Sequence, residues 1–255
     1  MFRKLKEHEF LFSELVKRDF KKKYKNTYLG MLWSLLSPLL TLLIMSVVFS
    51  SFFGSKTPHY TIYLFCGNII FSFFSDATSG GMGSLLGNAA IFTKINVPKY
   101  LFLFSRNISS LINFALTLAV FFIFCIFDKI TFGWEFLLLI IPIVCLVIFN
   151  LGMGLILSAL FVFFRDMQYL WSVFTMLLMY LSAIFYTTDI LPEFMQKLLH
   201  LNPVYVYIKY FRTVVIDNAV PSLTMHLLTV GYALIVFGIG ALIYKKCNHK
   251  FLYYV

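Results

Sequence analysis

A basic segment containing an Arg-Asp pair stands directly in front of the first long apolar run. The stretch KRDFKKKYKNTYLGMLW, residues 17 to 33, holds six basic side chains and includes Arg18-Asp19. A second pair, Arg165-Asp166, lies in FRDMQYLW, at the turn between two later apolar runs. Such charge can bind nucleic acid, lie on an anionic membrane, fix membrane topology or contact a partner protein. Arg165-Asp166 can equally be a simple ion pair at a turn.

Motifs for catalysis or cofactor binding are absent from the sequence. It contains no G-x-x-x-x-G-K-[ST] phosphate-binding loop, no H-E-x-x-H and no G-x-S-x-G. The four cysteines form no C-x-x-C pair and the five histidines are scattered, which disfavours a metal site or a disulfide framework. The sequence therefore predicts no catalytic residue, no metal and no cofactor bound by this chain.

The composition is that of an integral membrane protein. Of the 255 residues, 60% are hydrophobic and 13% are charged, and the mean hydropathy is +0.86. Soluble domains are about 45–50% apolar and about 25% charged. No nucleic-acid-binding module accompanies the basic segment, so a nucleic-acid partner is not expected. We predict an all-α integral membrane protein, because only helices and closed barrels satisfy the backbone in lipid.

Six apolar runs are long enough to cross a bilayer, which takes roughly 20 residues in a helix. They cover residues 31–53, 60–79, 104–127, 136–163, 168–187 and 224–244. These runs are continuous rather than alternating, which disfavours a β-barrel. We expect a cytoplasmic segment at 1–30, a transmembrane domain at 31–247 and a cytoplasmic tail at 248–255.

The distribution of Lys and Arg predicts the orientation. With the N-terminus in the cytoplasm, 16 of the 21 basic residues fall on inner segments, and six spans return the C-terminus to the same side. The predicted spans contain almost no charged residues in their interior. Asp76 and Arg106 lie near the cytoplasmic ends of the second and third spans and can reach the interface. An ion-coupled carrier is therefore disfavoured.

The basic segment also has the pattern of an amphipathic helix. From Phe12, apolar or aromatic residues recur every four positions at Val16, Phe20, Tyr24 and Tyr28. Most of the basic residues group on the other side of that helix. A helix of this kind suits the cytoplasmic membrane surface, where each Lys or Arg near anionic lipid contributes about 1 kcal/mol.

Shorter helices are predicted in two connecting segments. One is a cytoplasmic helix near 86–96, with Pro98 as its stop. The other segment, 188–223, contains two amphipathic stretches separated by Asn202-Pro203, each too short and too charged to span. We predict two short re-entrant helices there, lying at or dipping into the outer interface, with an ordinary extracellular loop as the alternative.

Aromatic residues form 19% of the chain. Lipid-facing surfaces and interface belts account for most of them. The alternative for some is a pore lined with ring faces, on which sugars can slide because stacking is apolar. The candidates for such a lining are Trp33, Phe52, Tyr63, Trp171, Phe174 and Tyr180.

Four stretches, taken in order, resemble the membrane subunit of type-2 ABC exporters of lipid-linked polysaccharides or teichoic acids. The first comprises Arg18-Asp19, Lys21, Tyr24, Leu29-Gly30, Trp33 and Pro38. It departs from the family at Lys23 and Thr27, where Arg and Ser are frequent. The other three are FTKINVPK at 92–99, FRDMQYLW at 164–171 and HLNPVYVYIKYFR at 200–212. The resemblance covers nearly the whole chain.

The resemblance implies a division of labour in the bacterial cytoplasmic membrane. The subunit would form a homodimer among membrane lipids and bind two separate ABC ATPase subunits, which hold ATP and Mg. A lipid-linked glycan would pass between the two protomers. The residues implied for ATPase coupling or the cytoplasmic gate are Arg18, Asp19, Lys21, Tyr24, Lys94, Pro98, Arg165 and Asp166. Those implied for an outer gate are Asn202, Pro203 and Arg212.

Two other functions remain as alternatives. One is a type-2 ABC exporter of a drug or small lipid, which the opening motif and the Asn-Pro segment disfavour. The other is a membrane-embedded glycosyl- or acyltransferase. That enzyme would need acidic or His residues clustered near the interface, whereas Asp128, Glu135 and Asp189 are scattered along the sequence.

Overall fold

Helices make up the regular secondary structure of the residues that the computed structural model describes, which are 9–24, 27–50, 58–95 and 97–254. The side chains of residues 22–24 and of Met31 are not part of this description. The helices are α1 (Glu9–Tyr24), α2 (Trp33–Phe49), α3 (Tyr60–Met82), α4 (Ala89–Phe92), α5 (Tyr100–Phe127), α6 (Ile140–Phe163), α7 (Met167–Leu181), α8 (Glu193–Leu199), α9 (Pro203–Val215), α10 (Leu223–Cys247) and α11 (Phe251–Tyr254). The all-α prediction is confirmed for these residues.

Three helices among the described residues are long and apolar enough to cross a membrane. They are α5, α10 and α6 together with its 3-10 lead Trp134–Leu139. The helices α2 and α7 are apolar but shorter. The chain therefore has the helices of a multi-pass membrane protein, as predicted, while the total of six spans stays a prediction.

The helix α7 ends well before the boundary that the sequence suggested. The apolar run predicted a span to residue 187, but the helix stops at Leu181. Ala183 then adopts the left-handed conformation with φ +49°, which an alanine rarely does. The carbonyl groups of this turn are used by another part of the molecule, described below, and this use compensates for the lost helical hydrogen bonds.

The central element of the fold is α3. Sixteen of its 23 residues are buried, and it contacts α2, α5, α6, α7 and α9. Aromatic rings fill much of the space around it: Phe65 meets Phe121 edge-on at 5.3 Å, and Phe74 meets Trp171 at 6.0 Å. Edge-to-face ring pairs of this kind add stability beyond the buried area. These ring pairs pack α3 against α5 and α7.

Glycines bring the backbones of α6 and α10 into contact. A Cβ atom at Gly240 would overlap the carbonyl group of Gly152, and one at Gly152 would meet the backbone of Phe237. At a second crossing, a Cβ at Gly81 of α3 would lie 3.1 Å from the Cα of Gly154 in α6. Small residues allow such close approach between membrane helices. These crossings join α3, α6 and α10 into one frame.

The two short helices predicted between the last spans are present as α8 and α9. The Asn202 side chain caps α9 by accepting from the backbone N–H of Val204, and Pro203 occupies its first turn. Most of α9 is buried, and it packs on α3, α6 and α10. Its depth in a bilayer, and with it the re-entrant geometry, stays a prediction.

Candidate functional site: two polar cavities and a buried arginine

The Arg18-Asp19 pair anchors α1 to α5. The Arg18 guanidinium donates to Asp19 Oδ1 from Nε at 3.0 Å and from Nη2 at 2.6 Å. The Ser105 hydroxyl of α5 donates to Asp19 Oδ2 at 3.2 Å. Asp19 is buried, and both of its oxygens have donors, which offsets the cost of burying its charge. The sequence indicated the Arg-Asp pair, and the structure adds Ser105 as its third member.

A cavity of about 930 Å³ opens beside this pair, where α1 faces the end of α3. Its wall contains three basic side chains and one carboxylate, together with small residues of the α3–α4 segment. We call it the basic cavity. Its lining residues are Arg18, Asp19, Lys21, Ser79, Gly80, Gly83, Ser84, Gly87, Asn88, Phe102 and Arg106. The balance of charge on this wall favours an anion.

An ion pair separates the basic cavity from a second one. Arg106 Nη2 donates to Asp76 Oδ1 at 3.4 Å, and the two side chains are 25% and 28% exposed. Arg106 lines the basic cavity and Asp76 lines the second cavity. Gly80 leaves the space for the guanidinium, because a Cβ there would overlap Arg106. The sequence placed both charges near span ends, and the structure shows that they neutralise each other.

The second cavity, of about 390 Å³, lies between α2, α3 and α5. Each helix contributes polar side chains at intervals of three or four residues, which place them on one face. We call it the polar cavity and these three rows its polar stripes. They are Ser34, Ser37 and Thr41 on α2, Asn68, Ser72 and Asp76 on α3, and Ser110, Asn113 and Thr117 on α5. The rings of Trp33, Phe73 and Phe114 also line it.

The polar cavity was not among the sequence predictions. The sequence prediction considers ionisable residues inside the spans, whereas eight of the nine stripe residues carry hydroxyl or amide groups. The available signal was the helical spacing of Ser, Thr and Asn within three apolar runs. That spacing alone would not have shown that the three rows face one another.

The remaining residues predicted for ATPase coupling are mostly exposed. Lys21 lies on α1, Lys94 follows α4, and Arg165 with Asp166 forms the turn between α6 and α7. Arg165 donates from Nη2 to the carbonyl of Tyr254 at 3.3 Å, so its observed partner is the C-terminal segment rather than Asp166. Pro98, which is partly buried, precedes α5. The side chain of Tyr24 lies outside the described residues.

Lys99 joins the 92–99 stretch to the C-terminal segment. Its ammonium donates to the carbonyl of Asn248 at 3.1 Å. It also lies 5.7 Å from the ring centroid of Phe92 and 5.9 Å from that of Phe251, within range of cation–π attraction. Burial lowers the pKa of Lys99. The 92–99 stretch and the C-terminal segment therefore pack against each other around the Lys99 side chain.

Arg212 occupies a buried polar site at the opposite end of α3. It is 7% exposed. Its guanidinium donates to the carbonyls of Tyr63 at 3.1 and 3.2 Å, of Ala183 at 2.8 Å and of Ile184 at 3.2 Å. The ring of Tyr63 lies 3.4 Å from its Cζ atom. Among the described residues no acidic side chain pairs with it, so carbonyl dipoles and a ring face stabilise its charge.

The turn after α7 is held by further hydrogen bonds from predicted residues. The Tyr63 hydroxyl donates to the carbonyl of Tyr186 at 2.7 Å. The Asn202 amide donates to Ser182 Oγ at 2.9 Å and to the Leu181 carbonyl at 3.3 Å. The structure thus brings Tyr63, Asn202 and Arg212 to one turn. The backbone carbonyls that they bind could not be identified from the sequence.

The aromatic residues predicted to line a pore have different environments. Trp171 is 4% exposed and packs inside the subunit, whereas Phe174 and Tyr180, on the same helix, are 45% and 52% exposed. Trp33 is 41% exposed and lines the polar cavity. Phe52 lies outside the described residues. Their role in a pore stays a prediction.

Known proteins resemble this chain over most of its length. The profile of the ABC-2 type transporter family matches residues 11–216. The O-antigen export system permease protein RfbA of Klebsiella pneumoniae is 28% identical over 203 residues, covering 77% of this chain and 76% of that protein. A protein of the same name from Myxococcus xanthus is 22% identical over 224 residues, covering 87% and 86%. The family match includes both cavities and Arg212.

Proposed function

This chain belongs to the ABC-2 type transporter family, and we propose that it is the permease subunit of an ATP-driven exporter of a lipid-linked polysaccharide. The cargo would be of the O-antigen, capsule or teichoic-acid type, carried across the bacterial cytoplasmic membrane. The observation that carries this proposal is the similarity to O-antigen export permeases, which covers about three quarters of both chains.

Energy for export would come from two separate ABC ATPase subunits that bind ATP and Mg. The exposed side chains of Lys94, Arg165 and Asp166 offer charged contacts for such a partner. Arg18 and Asp19 tie α1 to α5. A push on α1 would therefore reach the helix that lines both cavities.

The transport path would form between two copies of the chain. In the single subunit, α2 and α7 each leave a row of large apolar side chains exposed. On α7 these are Tyr169, Leu170, Val173, Phe174, Met176, Leu177, Tyr180 and Leu181. A homodimer joined through spans one and five would place the exposed aromatics beside the path. Both termini would be cytoplasmic, with six spans in each subunit.

Deletion of the gene, followed by complementation, tests the assigned cargo. We expect surface glycan to disappear and lipid-linked polymer to accumulate inside the cell, and wild-type protein to reverse both changes. Immunoblots of surface glycan and extraction of the lipid-linked fraction provide the measurements. Normal surface glycan without internal accumulation would show that the cargo belongs to another class, such as a drug or small lipid.

Reconstitution tests the separation of permease and ATPase. We expect the purified chain in liposomes to hydrolyse no ATP, and the complex with its ATPase partner to hydrolyse ATP and transport glycan. Lys94→Glu combined with Arg165→Glu should weaken coupling, while Lys129→Glu on the opposite predicted side serves as the matched control. ATP hydrolysis by the chain alone would contradict the proposal.

A further inference from the structure

The polar cavity brings nine polar side chains together within an otherwise apolar part of the subunit. A hydroxyl or amide in such surroundings costs free energy unless it has a hydrogen-bond partner. The three polar stripes face a space of about 390 Å³ rather than apolar side chains. This arrangement indicates that the cavity holds water or a polar ligand.

Helix association accounts for part of the polar stripes, as in the pair between Asp76 on α3 and Arg106 on α5. Polar residues that join membrane helices do so by hydrogen bonds across the interface. Here Ser72 donates to Asn68 within α3 at 3.5 Å, and Thr117 donates to the Asn113 carbonyl within α5 at 3.0 Å. Ser110 is 2% exposed, and its hydroxyl lacks a partner among the described residues although it belongs to the cavity wall. Ser37 is exposed and lines the same cavity, so the wall keeps hydrogen-bonding capacity for a ligand.

The charge of the wall selects against an ion. Of the described residues that line the cavity, Asp76 is the single ionisable one, and Arg106 pairs with it at 3.4 Å. A bound cation would need further carboxylates, and a bound anion would need basic groups that the wall lacks. An apolar molecule would offer no hydrogen bond to the polar groups that face the cavity. The wall fits a neutral ligand with many hydroxyl groups.

Aromatic rings complete the match to that class of ligand. Trp33 is 41% exposed, while Phe73 and Phe114 are buried and stacked on each other at 4.7 Å. A sugar ring presents apolar C–H faces as well as hydroxyl groups, so it can stack on an indole while its hydroxyls bind polar side chains. The volume lies within the range of about 300–1,000 Å³ that small-ligand pockets have.

We propose that the polar cavity binds a sugar residue of the transported glycan. The hydroxyls and amides of the stripes would replace the water around that residue, and the indole of Trp33 would lie against its ring. This inference rests on the proposed function for the identity of the cargo. It adds a glycan subsite inside each subunit, separate from the path between two subunits.

Protection of a cysteine tests whether glycan enters the cavity. Ser72→Cys is placed in a chain where Cys247 is replaced by Ser, because the other native cysteines are buried. Inverted membrane vesicles come from cells that make the lipid-linked glycan and from cells blocked in its synthesis. The vesicles are treated with N-ethylmaleimide, which reacts with hydrated thiols. We expect Ser72→Cys to react readily without glycan and several-fold more slowly with it.

Two control positions define the range of this assay. Glu14→Cys on exposed α1 should react equally in both kinds of vesicle, and Ile112→Cys on an exposed apolar position of α5 should react in neither. Equal reaction of Ser72→Cys with and without glycan would mean that the cavity holds water alone. No reaction in either case would mean that the cavity is closed. Either result overturns the proposal.

A substitution that fills the cavity gives a second, independent test. Ser72→Leu should abolish or greatly reduce surface glycan while the subunit still copurifies with its ATPase. Thr224→Leu, at an exposed site on α10, should leave export unchanged. Normal export by Ser72→Leu overturns the sugar site and leaves the permease assignment intact. If gene deletion itself leaves export intact, both proposals fail.

Discussion

The two ends of α3 each hold an arginine from another helix in a space left by a glycine, but the two sites are built differently. At one end, beside Gly67, Arg212 is enclosed by the carbonyls of Tyr63, Ala183 and Ile184. At the other end, beside Gly80, Arg106 pairs with Asp76 and stays a quarter exposed.

This difference indicates which end of α3 is fixed and which can rearrange. Carbonyl groups of the backbone cannot turn away, so losing Arg212 would leave several buried acceptors unsatisfied at once. An ion pair between two partly exposed side chains is worth about 0.2–1 kcal/mol and can exchange with water. We therefore expect the Arg212 end to act as the anchor and the Arg106 end to adjust during transport.

The largest effect is expected from Arg212→Ala. It should lower the free energy of unfolding by about 3 kcal/mol or more, because the turn after α7 loses the donors for its carbonyls. Thermal unfolding of the purified protein in detergent measures the loss. Arg212→Lys keeps the charge but has fewer donors, so its melting temperature should lie between those of the wild type and Arg212→Ala. A melting temperature unchanged by Arg212→Ala would show that the hydrogen bonds from Arg212 to these carbonyls, which form a cage around it, do not anchor this end.

The two glycines provide the matched pair of substitutions. In Gly67→Ala the new Cβ would lie 2.9 Å from Arg212 Nη2 and 3.3 Å from the Ile184 backbone, so we expect a cost of about 2 kcal/mol. In Gly80→Ala the three atoms nearest to the new Cβ all belong to the side chain of Arg106, which can move. The cost there should be under about 1 kcal/mol. Similar melting temperatures for the two variants would contradict the distinction between a fixed and an adjustable end.

Asp19→Ala tests the anchoring of α1 near the adjustable end. It removes the partner of Arg18 and leaves the Ser105 hydroxyl with the Phe102 carbonyl as its acceptor, and it should cost about 1 kcal/mol. We expect α1 to become more accessible to protease, while the melting temperature of the protein changes little. Ser105→Ala, which keeps the Arg18-Asp19 pair, is the milder control. Unchanged proteolysis in Asp19→Ala would mean that other contacts of α1 suffice.

The smallest effect on stability is expected from the Asp76–Arg106 pair. A double-mutant cycle with Asp76→Asn and Arg106→Gln should give a coupling energy of about 0.2–1 kcal/mol by thermal unfolding. Export should suffer more than stability in both single variants, because the pair stands between the two cavities. A coupling energy above this range would show that the Asp76–Arg106 end of α3 is fixed, like the Arg212 end, and would contradict the distinction between them.

Local patterns in the sequence predicted much of the fold. Apolar runs gave α5, α6 and α10 nearly at their observed bounds, and Asn202-Pro203 marked the start of α9 because a side-chain cap and a first-turn proline act over a few residues. The early end of α7 was missed. The residues after Leu181 are still mostly apolar, whereas the donor that binds the carbonyls of this turn is Arg212, which is distant in sequence.

The candidate sites depend on contacts between helices, which one sequence does not specify. Arg18 and Asp19 were found because they are adjacent. Asp76 and Arg106 were noted singly, but their pairing requires the packing of α3 on α5. The polar stripes had a readable spacing, yet their common cavity follows from the positions of three helices. The cage around Arg212 consists of backbone atoms, which carry no residue-type signal.

The contact between Gly152 and Gly240 has a mechanical consequence. A slide of one helical turn would bring Val236 or Tyr244 opposite Gly152, where even a single added carbon atom has no room. Translation of α6 against α10 is therefore locked in one register, and the two helices must travel as a rigid body. Distances between spin labels on α6 and α10 should stay constant through the ATP cycle. The subunit thus contains a fixed frame, and the movement that drives export has to occur in the helices around it.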